Sequence, residues 1–257
     1  MTTKPAHLPR TVLITGATGD FGRAMAQRFA AVGSQLILTG RNENKLQALA
    51  NELKVPTHSF TLDVRDRRAI EQAYATIPAA FHNIDLLINN AGLALGTEPA
   101  QGASLDDWQM MVDTNIGGLI IWTHMVLKDM VARQHGHIIN MGSTAGSYAY
   151  PGGHVYCASK AFVKQFSLSL RADLIGTKVR VTNIEPGMVA TDFSLVRFKG
   201  DAERAAKVYE NTTPLTAADV AESVFWAATL PSHVNINRIE MMPVTQGPAL
   251  PNVHRYV

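Results

Sequence analysis

Thr11-Val12-Leu13-Ile14-Thr15 runs directly into Gly16-Ala17-Thr18-Gly19-Asp20-Phe21-Gly22, and that junction decides the fold. The first five residues are β-branched or apolar with no polar alternation, the pattern of a strand buried on both faces. The glycines permit a tight turn, and the apolar spacing from Phe21 to Val32 is that of a helix. A strand, a glycine turn and a helix in that order put free N–H groups and the positive end of a helix dipole at one point. Such a point cradles a pyrophosphate, so Gly16, Thr18, Gly19, Asp20, Phe21 and Gly22 are expected to hold a dinucleotide.

The same alternation continues to the end of the chain. Further strand-like runs are Gln35 to Thr39, His58 to Leu62, Asp85 to Asn89, His137 to Asn140, Val179 to Ile184 and, less clearly, Arg238 to Met242. Helical patterns lie between them: Asn44 to Leu53, Asp66 to Thr76, Leu105 to Arg133, Val155 to Leu174 and Ala217 to Leu230. Strand and helix alternating throughout predict an α/β fold. The expected form is a single doubly wound Rossmann-type parallel sheet with helices on both faces, residues 1–257 making one domain. Residues 187–213 are an irregular excursion after the sixth strand. In an open α/β sheet that is the place for a lid over a ligand.

Composition agrees and narrows the function classes. The chain has 257 residues, of which 46% are hydrophobic and 17% charged, which excludes a disordered protein. Its 23 basic and 21 acidic residues leave a net charge of +2, which gives no reason to expect nucleic acid or a membrane surface as partner. The N-terminal stretch has no apolar core of a leader peptide, and the apolar run Ile116 to Met125 is broken by Thr123 and His124. Cys157 is the lone cysteine, so no intrachain disulfide forms; a cytoplasmic location is expected. It is expected to be a packed helix residue. The His residues show no metal-ligand spacing, and no metal is expected.

Chemistry concentrates after the strands. The second strand ends in Gly40-Arg41, where an enzyme selective for NAD places an acidic residue. A guanidinium there suits a 2′-phosphate, so NADP(H) is the expected cofactor. Tyr156 and Lys160 are four residues apart and share one helix face. An ammonium beside a phenol favours phenolate and brings the tyrosine toward a working acid–base range. Ser143 follows the fifth strand, Asn115 lies in the long helical region, Asn89-Asn90-Ala91-Gly92 follows the fourth strand and Pro186-Gly187 the sixth.

In that order and spacing, these residues resemble the short-chain dehydrogenase/reductase superfamily in its compact branch, over essentially the whole chain. The resemblance implies that Tyr156 is the proton donor and acceptor, and that Lys160 lowers its pKa and binds the nicotinamide ribose. Ser143 would hydrogen-bond the substrate oxygen and Asn115 hold a proton-relay water. Asp63 and Val64 would bracket the adenine, with Asn90, Ala91, Gly92, Pro186, Gly187, Val189 and Thr191 completing the nucleotide contacts. One residue departs from the compact pattern T-G-x-x-x-G-x-G: Asp20 stands in the middle glycine position. Its charge should repel a pyrophosphate unless the side chain points away or caps the helix.

Thr229-Leu230-Pro231, His233 to Asn237, Glu240 to Gln246 and Val196 to Gly200 are similar to the bacterial NADP-dependent 3-hydroxy acid dehydrogenases, and to sulfoacetaldehyde reductases. This implies reduction of a short aldehyde that ends in an anion. Arg197 or Arg255 could clamp a carboxylate or sulfonate, and Tyr148, Tyr150 and His154 could line the pocket. A 3-ketoacyl reductase for carrier-bound chains is the alternative enzyme, and a non-catalytic NADPH sensor the alternative of another class. The two longest helical regions carry more apolar residues than one face needs, and resembling enzymes use them as subunit interfaces; a homotetramer is expected.

Overall fold

The structure is a computed structural model that describes residues 7–248 and Val253. Its elements follow in chain order. β1 (Thr11–Ile14), α1 (Asp20–Ala30), β2 (Gln35–Gly40), α2 (Glu43–Glu52), β3 (Thr57–Thr61) and α3 (Arg67–Ala75) make the first half. β4 (Leu86–Asn89), α4 (Leu105–Val112), α5 (Leu119–Ala132), β5 (Gly136–Met141), α6 (His154–Asp173) and β6 (Val179–Pro186) follow. The chain then forms α7 (Phe193–Arg197), α8 (Ala202–Lys207), α9 (Ala217–Thr229) and β7 (Arg238–Met241).

The seven strands form one sheet in the order β3-β2-β1-β4-β5-β6-β7, and every neighbouring pair is parallel. Alternate residues of the central strands feed two cores. Val12, Ile14, Leu36 and Leu38 face Met25 and Phe29 of α1 and Val224 and Phe225 of α9. Leu13, Ile37, Leu87, Ile138 and Val181 face Ile70 of α3 and Trp122, Val126 and Met130 of α5. Both faces being covered is why these strands read as unbroken apolar runs. The strand order reverses between β1 and β4, and there the loops leaving the two strands part to open a crevice.

The region Leu105 to Arg133, expected as one helix, is interrupted. A wider π turn at Asp113–Gly118 separates α4 from α5. Gly118 explains part of the bend: a Cβ there would lie 2.8 Å from Val64 Cβ, so the chain passes Val64 at a distance only glycine allows. Leu105–Ala132 is long and apolar enough by composition to cross a membrane, yet Met111, Trp122, Val126 and Met130 are buried in the protein's own cores. Residues 187–213, expected to be irregular, hold the two short helices α7 and α8.

Polar side chains tie the right half of the sheet. Asn89, Asn140 and Asn183 stand in register across β4, β5 and β6, all buried. The Asn89 amide donates to Asn140 Oδ1 at 2.8 Å and to Thr123 Oγ1 at 2.9 Å, and Asn140 donates to Ser167 Oγ at 2.8 Å. At the edge, Glu185 is fully buried. Arg238 grips it through two hydrogen bonds, Nε at 2.7 Å and Nη2 at 2.6 Å, and Asn183 donates to it at 2.6 Å. A carboxylate out of water is tolerated only when so matched. Arg238→Gln should therefore destabilise the fold by about 3 kcal/mol. In a chain of this size that lowers the thermal midpoint by roughly 6–12 °C, read by calorimetry. An unchanged midpoint would show that Glu185 needs no cation.

Candidate active site

The glycine turn is as tight as the sequence suggests. Gly16 has φ +63°, and a Cβ on it would lie 2.9 Å from Ala91 Cα. A Cβ on Gly22 would lie 2.4 Å from Gly16 O, so the first turn of α1 rests directly on the loop before it. Asn90 locks the neighbouring loop: its amide donates to Thr15 O at 2.9 Å and Gly16 O at 3.0 Å, while Thr15 Oγ1 accepts from the backbone N–H of Asn90 and Ala91. Beside this turn lies a cleft of about 410 Å³. Gly16, Thr18, Gly19, Asp20, Phe21, Arg41, Asp63, Val64, Asn90, Ala91, Gly92 and Thr191 all line it. Gly22 packs beneath the turn, and Pro186, Gly187 and Val189 line the adjoining cleft.

That second cleft, of about 340 Å³, brings Ser143, Tyr156, Lys160, Tyr148, Tyr150 and Arg197 together. Ser143 begins a short turn after β5; its Oγ accepts from Ala145 N at 3.1 Å and sits 3.5 Å from Pro186 O, leaving it at the cleft wall. Tyr156 and Lys160 rise one turn apart on α6. Lys160 Nζ reaches past Gly92 to donate to Met141 O at 2.8 Å, and lies 5.9 Å from the centre of the Tyr156 ring. Asn115 sits in the π turn, buried. Its amide donates to Leu93 O and Ser159 Oγ and its Oδ1 accepts from Leu93 N, which fastens the loop after β4 to α6.

Arg197 comes from the end of α7. Its Nη1 donates to Tyr150 Oη at 2.8 Å, and its guanidinium carbon lies 5.0 Å from the Tyr150 ring centre and 5.9 Å from that of Tyr156. No carboxylate among the described residues pairs with it. The segment around it is docked onto the loop after β4 and onto α4: Gly96 N donates to Arg197 O at 3.1 Å, Lys199 pairs with Asp107 of α4 at 2.7 Å, and Arg204 donates to Thr97 Oγ1 at 3.0 Å.

Residues 10–201 match the family model described as short chain dehydrogenase. The chain belongs to that family. It is 60% identical over 245 residues to the NADP-dependent 3-hydroxy acid dehydrogenase YdfG of Salmonella typhi, covering 95% of this chain and 99% of that protein. It is 54% identical over 238 residues to sulfoacetaldehyde reductase 2 of Chromohalobacter salexigens, covering 91% and 94%. Among solved structures, the closed form of a serine dehydrogenase complexed with NADP+ superposes with a TM-score of 0.92 at 58% identity, covering 96% of this chain and all of that one.

Within this short-chain dehydrogenase, two expectations need correction. His154 opens α6 but turns away from the cleft: its Nε2 lies 3.1 Å from Glu98 O and its ring packs 5.1 Å from Trp108, so it lines a separate surface groove. Tyr156 is not brought toward neutrality. The Lys160 ammonium is held at the Met141 carbonyl and flanks the ring, and burial pushes the Tyr156 phenol well up, opposed by the Ser143 hydroxyl and Arg197. The Asn115 side chain spends both amide hydrogens on protein partners and fastens a loop. Arg255 lies outside the described residues. Three residues went unread in the sequence. Lys45, one turn into α2, joins Arg41 in the nucleotide cleft; Gln246 accepts from Met188 N at 2.7 Å; and Phe193 of α7 packs 5.5 Å from the Tyr156 ring. Only the position of Phe193 inside the excursion after β6 hinted at a role.

Burial lowers the Lys160 ammonium from its ordinary 10.5 to about 8. Below pH 8 the folded and unfolded chains both carry this proton, and the full cost of burying the charge is present. Between about 8 and 10.5 the unfolded chain binds the proton and the folded chain does not, so this residue's contribution to stability rises with pH there. Lys160→Met should be more thermally stable than the wild type at pH 7, and its advantage should shrink as pH climbs through that window. A difference in midpoint that stays constant with pH would show that Lys160 does not titrate there.

Proposed function

We propose that this protein is an NADP(H)-dependent oxidoreductase that interconverts a short anionic aldehyde and its alcohol, of the malonic semialdehyde/3-hydroxy acid or sulfoacetaldehyde/isethionate type. One observation carries the substrate class: Arg197 is a guanidinium without a carboxylate partner among the described residues, facing the cleft less than 6 Å from the Tyr156 ring. An oxygen held at Tyr156 and Ser143 and an anion held at Arg197 leave room for a spacer of only a few atoms. The likeness to 3-hydroxy acid dehydrogenases and a sulfoacetaldehyde reductase supports the same reading.

The cleft beside the glycine turn fits the nucleotide. Gly16 and Gly22 bring the backbone where no side chain could let it come, Arg41 and Lys45 supply charge for a 2′-phosphate, and β2 ends without the acidic residue that would reject one. Asp63, held below the ordinary carboxylate range by its hydrogen bonds from Arg65, stands with Val64 at the adenine end. Asn90, Ala91, Gly92, Lys160, Pro186, Gly187, Val189 and Thr191 serve the nicotinamide end. Bound there, the nucleotide supplies or takes up the hydride. The protein's own residues manage the proton. A buried phenol is protonated at neutral pH, so Tyr156 can give a proton to the carbonyl oxygen that Ser143 orients. In the oxidative direction the Lys160 and Arg197 cations would stabilise the phenolate. Arg197 holds the anionic end with charge-assisted hydrogen bonds. Residues 187–213 close over it as a lid.

The lone thiol, buried at Cys157, suits a reducing cytoplasm. Half-exposed Val112, Ile120 and Phe162 on α4 to α6, with Trp226 on α9 and the exposed Val244 after β7, support a homotetramer, which light scattering at micromolar concentration reads as about four times the 27.9 kDa chain.

Tyr156→Phe should lower kcat by at least about 100-fold while NADPH still binds. Arg197→Ala should raise KM for the anionic aldehyde by about 10- to 100-fold and spare an uncharged aldehyde of the same length. NADPH oxidation with malonic semialdehyde and sulfoacetaldehyde side by side tests the class. Turnover of an acetoacetyl thioester with silence on both would overturn it.

A further inference from the structure

Asp20 breaks the glycine pattern at the nucleotide turn, and the fold shows where its charge goes. It is the first residue of α1, and no side chain caps that helix. Its Oδ2 accepts a hydrogen bond from the backbone N–H of Asp192 at 2.7 Å, across 172 residues of sequence. Asp192 immediately precedes α7. The next residue, Phe193, packs against the Tyr156 ring, and Arg197 lies one turn further on.

The other hydrogen bonds and ion pairs of α7 and α8 reach other parts of the molecule. Arg197 binds Gly96 and Tyr150, Lys199 pairs with Asp107 of α4, Arg204 binds Thr97, and Tyr209 binds Ser194 and Thr191. Among the described residues, the Asp20 bond is the one hydrogen bond that joins residues 187–213 to the glycine turn. Without it α7 keeps its ties to Gly96, Tyr150 and α4 but loses its hydrogen bond to the glycine turn, at the end of the helix that carries Phe193.

We propose that Asp20 is a positioning residue for substrate selection: its carboxylate latches α7 to the nucleotide turn and thereby fixes Arg197 and Phe193 over Tyr156. The consequence for Arg197 rests on the reading of that residue as the anion clamp. The latch also resolves the electrostatic conflict at the turn. A carboxylate engaged with a backbone N–H has part of its charge offset by that dipole, and it is directed at the lid instead of at the phosphate site.

Two variants and two readouts test this. Asp20→Gly removes the acceptor, and Asp20→Asn keeps a side-chain oxygen without the charge. The first readout needs no substrate. Trypsin sites at Arg197, Lys199, Arg204 and Lys207 lie in or beside α7 and α8, and their cleavage tracks the population of the opened segment. Asp20→Gly should be cut there about fivefold faster than the wild type, with Asp20→Asn recovering most of the protection. The second readout is the split between KM and kcat. In Asp20→Gly, KM for the anionic aldehyde should rise by a similar factor, with kcat less affected and an uncharged aldehyde nearly unchanged. Unaltered proteolysis in Asp20→Gly overturns the latch, and so does a change confined to KM for NADPH. Faster cleavage with unaltered KM for the anion, in a protein where Arg197→Ala does raise that KM, overturns the positioning role. If Arg197→Ala also leaves KM unchanged, the clamp reading has failed and faster cleavage still supports the latch.

Discussion

Everything in the cleft depends on how closely the first turn of α1 lies on the loop from β1. No Cβ fits at Gly22 against Gly16 O, and none fits at Gly16 against Ala91. Two backbone segments from β1 and β4 therefore touch where the strand order reverses, and Asn90 and Thr15 stitch them together there. That contact sets where the helix N-terminus points and how far apart the loops leaving β1 and β4 stand. The nucleotide cleft and the substrate cleft open on either side of it. Phe21, Asn90 and Gly92 line both.

The proposed proton-transfer group is assembled against the preference of its members for water. Tyr156 and Lys160 are both buried, and burial acts on each toward the neutral form, raising one and lowering the other. The sheet tolerates this because the surroundings are polar at chosen points: Met141 O meets the ammonium, and Ser143 lies beside the phenol. A site so arranged is costly to stability and useful to chemistry, since groups away from water respond strongly to a charge brought near them.

Much of this was legible in the sequence. The central strands, buried on both faces, leave apolar runs, and the glycine turn, Asn115, Ser143, Tyr156, Lys160 and Pro186-Gly187 fall at strand ends or adjoining helices as expected. What was not legible depends on long-range partners. The π turn at Asp113–Gly118 is held by Leu93 and Ser159, 22 and 44 residues from Asn115. Helical spacing put Tyr156 and Lys160 on one face but could not say that the lysine would reach for Met141. His154 is close in sequence to Tyr156, yet it opens α6 and faces Trp108. Asp20 announced a conflict of charge, and only the folded chain brings Asp192 to it.

The row of asparagines beneath the cleft has a bearing on how the chain finds its topology. An apolar side chain on β5 would be nearly as content one residue along, or beside a different strand. Asn89 and Asn140 are not: their amides meet only when β4 and β5 lie adjacent, parallel and in the observed register, while Asn183 in the same row turns its amide to Glu185. A slip by one residue would swing buried amides toward the opposite core and strand their hydrogen bonds. The row thus works as a proofreading device for a sheet whose parallel strands otherwise look much alike. Its Asn89–Asn140 bond distinguishes the native pairing from a slipped one, at a level of the sheet directly below the loops that line the clefts.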